Sequence, residues 1–240
     1  MDQNRSAILT YHSVDGSGSV ISISPPEFAR QMESLANSPA RIVSLKEVRD
    51  HPGSIALTFD DGFRNFLTEV APVLERYRFP ATVFVVTGFC GRDNRWPGQR
   101  PEIPKLPLMD WDELRELSER GFEIGGHTVH HPDLKKLAPD AAMREMQGCK
   151  SEIEDRLGRA VTQFAYPYGR IPGGVRPPFE LACGTRMDYL MVDADPLDLP
   201  RVDAYYLRSG PPAGSVLSRS SAVYIGARAI VRNLRQWLSQ

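Results

Sequence analysis

At 240 residues the chain is long enough to bury a substantial core and fits one domain or an uneven two. With 41% hydrophobic and 25% charged residues it has the balance of a folded globular chain, which excludes a disordered or low-complexity polymer. Twenty-nine basic residues against thirty acidic ones leave a formal charge of -1, so whole-chain charge gives nucleic acid no footprint.

The predicted elements alternate in type. Residues 7–11 read as a strand. Residues 26–36 read as a helix, with Ser24 as N-cap and prolines in the first turn. Residues 54–59 form a near-continuous apolar run of the kind buried on both faces of a parallel sheet. A helix over 65–77 and a buried strand over 81–86 follow. Residues 110–120 are a charged amphipathic helix closed by Gly121. A short strand covers 122–125. Residues 139–157 are a long helix, with Ala142, Met146, Cys149, Ile153 and Leu157 along one face. Residues 163–165 and 181–185 read as late strands. Strands alternating with helices imply right-handed βαβ units. Seven or so units predict an α/β fold in one domain over 1–240: a closed or nearly closed, distorted (β/α) barrel of about seven parallel strands. A doubly wound open sheet is the alternative, but no glycine-rich dinucleotide fingerprint follows the first strand. Residues 91–107 are the one long irregular stretch, a candidate lid or variable decoration.

Three segments carry chemistry. In Thr58-Phe59-Asp60-Asp61-Gly62, two carboxylates sit at the C-terminal end of a buried strand, where ligands bind in barrels and open sheets. A turn at Gly62 can bring both to the strand mouth. Two close carboxylates call for a cation or a proton between them, although Asp-Asp-Gly also serves as a helix N-cap. In Gly125-Gly126-His127-Thr128-Val129-His130-His131, a helical turn would place His127 and His131 on one face, like paired zinc ligands, with His130 pointing away. Two imidazoles and one carboxylate leave open positions for water and substrate, the pattern of a catalytic metal site. In Phe164-Ala165-Tyr166-Pro167-Tyr168-Gly169, proline and glycine can fix a backbone N–H as an oxyanion donor, or simply make a turn.

Together these motifs resemble the polysaccharide deacetylase family, the carbohydrate esterases related to chitin and chitooligosaccharide deacetylases. Their order and spacing agree with the family over about half of the chain. The resemblance implies a distorted (β/α) barrel and a divalent metal on Asp61, His127 and His131: zinc, or cobalt, nickel, manganese or iron. It implies Asp60 as general base and the backbone N–H of Tyr168 as oxyanion donor. The chain departs from the family pattern twice. It has no histidine after His131, whereas many members use a late one as the acid. His12, in Leu9-Thr10-Tyr11-His12-Ser13, is the candidate substitute, or else a structural strand-end histidine; the chain resembles a subgroup of biofilm-polysaccharide deacetylases whose N-terminal Tyr-His is implied to serve in this role. As the acid, His12 is expected to enter the mouth opposite Asp60, with a carboxylate on its far ring nitrogen. His51, in His-Pro-Gly, reads as an exposed turn. At Ala165 many members carry an arginine that orients the base; Arg201 can supply that guanidinium, or form a surface salt bridge.

Trp96 is either a sugar-stacking platform or a loop anchor. Cys90, Cys149 and Cys183 form no CxxC and read as free thiols in a reducing cytosol. After Asp203 there are five arginines (208, 219, 228, 232 and 235) and no acidic residue. Val223, Ala227, Ile230, Leu234 and Trp237 line one helical face, expected to pack on the barrel. A peripheral contact with an anionic membrane is the alternative. No run is long enough to span a bilayer, and Met1-Asp2-Gln3-Asn4-Arg5 lacks an apolar h-region. The expectation is therefore a cytoplasmic enzyme. It would remove N-acetyl groups from amino sugars in an oligo- or polysaccharide or its precursor, with an N-acetylated carbohydrate as partner. The rivals are an amidohydrolase of a small cyclic amide or ureide and a non-catalytic carbohydrate-binding descendant.

Overall fold

The computed structural model describes residues 5–238, without the side-chain surroundings of 233 and 235–238. The strands are β1 (Arg5–Tyr11), β2 (Ser13–Val14), β3 (Ser22–Ile23), β4 (Ile42–Val43), β5 (Ile55–Phe59), β6 (Thr82–Val85), β7 (Glu123–Gly126), β8 (Gln163–Ala165), β9 (Leu181–Cys183), β10 (Leu190–Met191) and β11 (Val202–Asp203). The helices are α1 (Pro25–Ala36), α2 (Ala71–Tyr77), α3 (Trp111–Glu119), α4 (Pro139–Leu157) and α5 (Arg219–Leu238). The sheet runs β10-β1-β5-β6-β7-β8-β9 and curls into a distorted barrel. Every pairing along it is parallel except that of β10 with β1. The gap between its ends is bridged at the mouth by residues 199–203. Leu199 pairs with Cys183 of β9, and Val202 and Asp203 pair with Leu9 and Thr10 of β1.

The period of two along each strand sorts the core into two layers. Leu9, Leu57, Val83, Ile124, Phe164 and Ala182 face outward against the helices. Ile8, Ala56, Phe84, Ala165, Cys183 and Leu199 fill the interior. Both faces are buried, which is why these strands read as unbroken apolar runs. β7 approaches the interior closely: a Cβ on Gly125 would stand 2.6 Å from Phe84 Cδ1.

α1, α3 and α4 agree with the sequence pattern. Ser24 accepts from Glu27 N, Asp110 and Glu113 form a capping box, and Ala142, Met146, Cys149 and Ile153 are buried on α4. The helix expected over 65–77 divides into a wide π turn, Phe66–Val70, followed by α2. Pro72 lacks the N–H that would continue the regular ladder through that point. The three cysteines are free; Cys149 and Cys183 are buried and Cys90 half-buried. His51 is half-buried in its turn. Among the described residues no helix is long and apolar enough to cross a membrane.

The C-terminal helix corrects an expectation. Ser221 and Ile225 of α5 are buried, whereas Val223, Ala227, Ile230 and Leu234 are exposed. The face expected to pack on the barrel therefore points away from it. Tyr224 Oη donates to Tyr206 O, and Gly210 lies against the Tyr224 ring, so the helix is held through Tyr224 and not through that apolar face. The side chains of Arg235 and Trp237 lie outside the described ones.

Candidate active site

The same alternation builds the site. Inward positions on β1 are Ile8 and Thr10, and the next is His12; on β5 they are Ala56 and Thr58, and the next is Asp60. Because Tyr11 pairs with Phe59, His12 and Asp60 emerge side by side at the C-terminal mouth. On β7 the inward series continues from Gly125 to His127, and on the closing segment from Leu199 to Arg201. The residues that a barrel presents to a ligand are those one step beyond its last packed layer.

Asp61 and Gly62 both take φ of 75°, a left-handed turn that keeps the second carboxylate at the mouth. Asp60 and Asp61 are both buried. Asp60 is held by Arg201, itself fully buried, in a bidentate pair: Nη1 to Oδ1 and Nη2 to Oδ2, both 2.7 Å. Arg201 Nε donates to Gly184 O at 2.8 Å, and Nη1 also reaches Thr58 Oγ1 at 3.3 Å. Of the two readings of Arg201, the surface salt bridge is overturned: its inward place on the closing segment buries it. Burial opposes ionisation of Asp60, but the Arg201 guanidinium outweighs it and holds the carboxyl below the usual range.

His127 and His131 converge on Asp61, with each Nε2 3.4 Å from Asp61 Oδ1. No helical turn brings them together. Thr128 and His131 take φ of 70° and 57°, so a loop folds the second imidazole back beside the first. The Thr128 hydroxyl accepts from His131 N at 2.9 Å and fixes that loop. His130 points away, with its side chain 62% exposed. Its ring Nδ1 meets Glu145 Oε1 at 2.7 Å, while Glu145 Oε2 accepts from the N–H groups of Val129 and His130. Sequence reasoning missed Glu145. The available signal was a carboxylate one position before Met146, on the flank of the buried face of α4.

The trio suits a divalent cation. His127 Nδ1 donates to Ala165 O at 2.7 Å, since a carbonyl only accepts; Nε2 is left with a free lone pair. Asp61 Oδ1 is buried with no hydrogen-bond partner, and the three donor atoms lie within 4.8 Å of one another. Donors of a tetrahedral site with bonds of about 2.1 Å stand about 3.4 Å apart, which is the spacing from Asp61 to each imidazole. Burial presses His131 below the ordinary imidazole range; at His127 burial acts the same way, but the Asp61 and Asp60 carboxylates outweigh it and raise the imidazole.

His12 Nε2 lies 3.9 Å from Asp60 Oδ2, and its side chain is 27% exposed. The carboxylate expected on its far ring nitrogen is absent among the described residues. Asp203, level with Thr10, directs Oδ1 to Tyr205 N instead. Tyr168 follows β8 with φ of 58°, and its ring packs edge-on against His131. Trp96 is 3% exposed and stacks on His131 with centroids 4.3 Å apart. It is the anchor of the 91–107 loop, not a free sugar platform. Asn94 pins the same loop through Pro104 O and Leu106 N.

The family profile described as polysaccharide deacetylase matches residues 47–178, more than half of the chain. The Staphylococcus aureus poly-beta-1,6-N-acetyl-D-glucosamine N-deacetylase is 24% identical over 164 residues, covering 62% of this chain and 54% of its own. The Bacillus subtilis protein YxkH, named as a polysaccharide deacetylase, is 25% identical over 171 residues, covering 68% and 56%. The chain thus spans about half the length of the curated relatives it matches. Two solved structures share the fold. The Streptococcus pyogenes deacetylase PplD, in complex with acetate, has a TM-score of 0.71 at 23% identity, covering 83% of this chain and 92% of its own. IcaB from Ammonifex degensii has a TM-score of 0.66 at 24% identity, covering 86% and 97%. The curled barrel and the profile match over its central strands agree: the chain belongs to the polysaccharide deacetylase family.

Proposed function

We propose that the protein is a metal-dependent hydrolase that removes N-acetyl groups from amino sugars of the N-acetylglucosamine type in an oligo- or polysaccharide. One observation carries the reading. A buried Asp-His-His trio with the donor spacing of a metal site stands next to a buried, arginine-held carboxylate at one barrel mouth. The name of the Staphylococcus aureus relative supports the choice of sugar.

Asp61, His127 and His131 would hold the cation, with zinc foremost for this donor set. When bound, the cation supplies Lewis acidity and lowers the pKa of water. The rest falls to the chain. Asp60, ionised at neutral pH beside Arg201, takes the proton from the water that attacks the acetamide carbonyl carbon. Arg201 positions that carboxylate through two parallel hydrogen bonds and keeps it charged. The N–H of Tyr168, at the end of β8, is the donor for the oxyanion. As the C–N bond breaks, the nitrogen leaves as an amine only if it is protonated. His12, 3.9 Å from Asp60 and half-exposed at the mouth, is the proton donor. The products are acetate and the free amino sugar.

The open rim, with Tyr168 44% exposed, suits a polymer better than a small ureide, which needs an enclosing pocket. The complete set of donors, carboxylate and histidine argues against a merely carbohydrate-binding descendant. The test is acetate release from N-acetylated β-linked glucosamine oligomers, after chelation and after metal is restored. Activity indifferent to chelation, or none with metal restored, would remove the proposal.

A further inference from the structure

We propose that the outward face of α5 docks on an anionic lipid bilayer. The inference is independent of the catalytic reading. Val223, Ile230, Val231 and Leu234 are 76%, 63%, 43% and 55% exposed, and Ala227 is exposed with them. At about 100° per residue these five side chains fall within about 100° of arc, the width of a helix's apolar face. Ile225 and Ser221, on the opposite side, are buried, and Ser221 Oγ donates to Ser215 O in the segment that precedes the helix. The helix is therefore doubly apolar, with one face used and one unpartnered among the described residues. A contiguous exposed patch of this kind marks an interaction surface.

Charge selects the occupant. After Asp203 the chain carries five arginines and no lysine, aspartate or glutamate. Arg228 follows the apolar arc on one flank and Arg219 borders it on the other, both exposed, whereas Arg232 falls between Ser221 and Ile225 on the buried side. Arg228 is exposed; its Nε donates to Tyr224 Oη, and no other hydrogen bond of its guanidinium occurs among the described residues. A second copy placed symmetrically on this face would set arginine near arginine with no carboxylate on α5 to pair them. A bilayer with anionic headgroups supplies the opposite charge at the edge of an apolar interior. It accepts the valine, isoleucine and leucine side chains below and the guanidinium groups at headgroup level. Each arginine near such a surface contributes about fivefold in partitioning, and the contribution weakens as salt rises.

The test is co-sedimentation of the full chain with large unilamellar vesicles, phosphatidylcholine alone against phosphatidylcholine mixed with phosphatidylglycerol. The expected result is sedimentation with the phosphatidylglycerol vesicles that falls with added salt. Ile230→Glu with Leu234→Glu is expected to lower it at least about tenfold, and Arg228→Gln about fivefold. Both variants should keep the parent's far-ultraviolet circular dichroism and its activity on soluble substrate. Equal binding to both vesicle types, no binding to either, or full binding by the Glu pair would overturn the proposal. So would a dimer in light scattering that the Glu pair dissolves, because a second copy would then be the occupant.

Discussion

Arg201→Met removes the guanidinium and leaves Asp60, 3% exposed, without its bidentate counter-ion. The structure sets the scale. Two charge-assisted bonds of 2.7 Å are lost, along with the anchor to Gly184 O. Breaking a buried pair from one side costs about 3–5 kcal/mol. For a chain of this size that corresponds to a fall in melting temperature of about 6–20 °C. The pH dependence has a definite sign. In the parent, Asp60 is depressed below its ordinary value, so its contribution to stability is present at neutral pH and is lost as pH falls through the folded pKa. In the variant, burial is opposed only by the weaker influence of the His127 and His12 imidazoles, and the carboxyl rises. The deficit against the parent should therefore narrow on acidification from neutral pH, as Asp60 takes up a proton. For the same reason the acid limb of kcat/KM should move to higher pH. Arg201→Lys restores the charge without the planar fork and should recover only part of both effects. The assay is urea unfolding of metal-free protein across a pH series, with deacetylation rates beside it. Stability within about 0.5 kcal/mol of the parent and an unmoved pH profile would refute the reasoning.

Replacing Asp61, His127 or His131 by alanine should abolish metal retention, read by elemental analysis after dialysis, together with turnover. Retention at the parent's level would dissolve the site. Asp60→Asn should keep fold and metal but lose most turnover, since an amide accepts no proton; near-parent rates would mean another base. His12→Ala should lower amide hydrolysis by roughly 10²- to 10⁴-fold with metal content unchanged. Its effect on an acetate ester of an acidic phenol, whose leaving group needs no proton, should be smaller; equal losses on both would contradict the acid role. Glu145→Ala should weaken metal binding about 10- to 100-fold in chelator competition. It frees the backbone of Val129 and His130 beside a ligand held in left-handed φ. Glu145→Gln, which keeps a backbone acceptor, should recover most of the loss, and an unchanged affinity in the alanine variant would show that the loop holds itself.

The parts of this protein legible in the sequence are those governed by local rules. The apolar runs that became β1, β5 and β6, the caps of α1 and α3, and the buried face of α4 depend on period and capping chemistry alone. The Asp60-Asp61-Gly62 and His127 to His131 segments were visible because titratable groups clustered at predicted strand ends. Tertiary structure decided the rest, because the deciding partners are distant in sequence. That His12 stands beside Asp60 follows from the β1–β5 register. Arg201 is a buried partner of Asp60 because a segment of two-residue strand content, too short for any periodicity, closes the barrel over 141 positions of separation. The wide turn before α2 comes from one proline acting on a particular ladder. The orientation of α5 could not be read from its pattern, since apolar residues lie on both of its faces. Only the tertiary packing, which buries Ile225 and Ser221 and leaves Ile230 and Leu234 outside, breaks that tie.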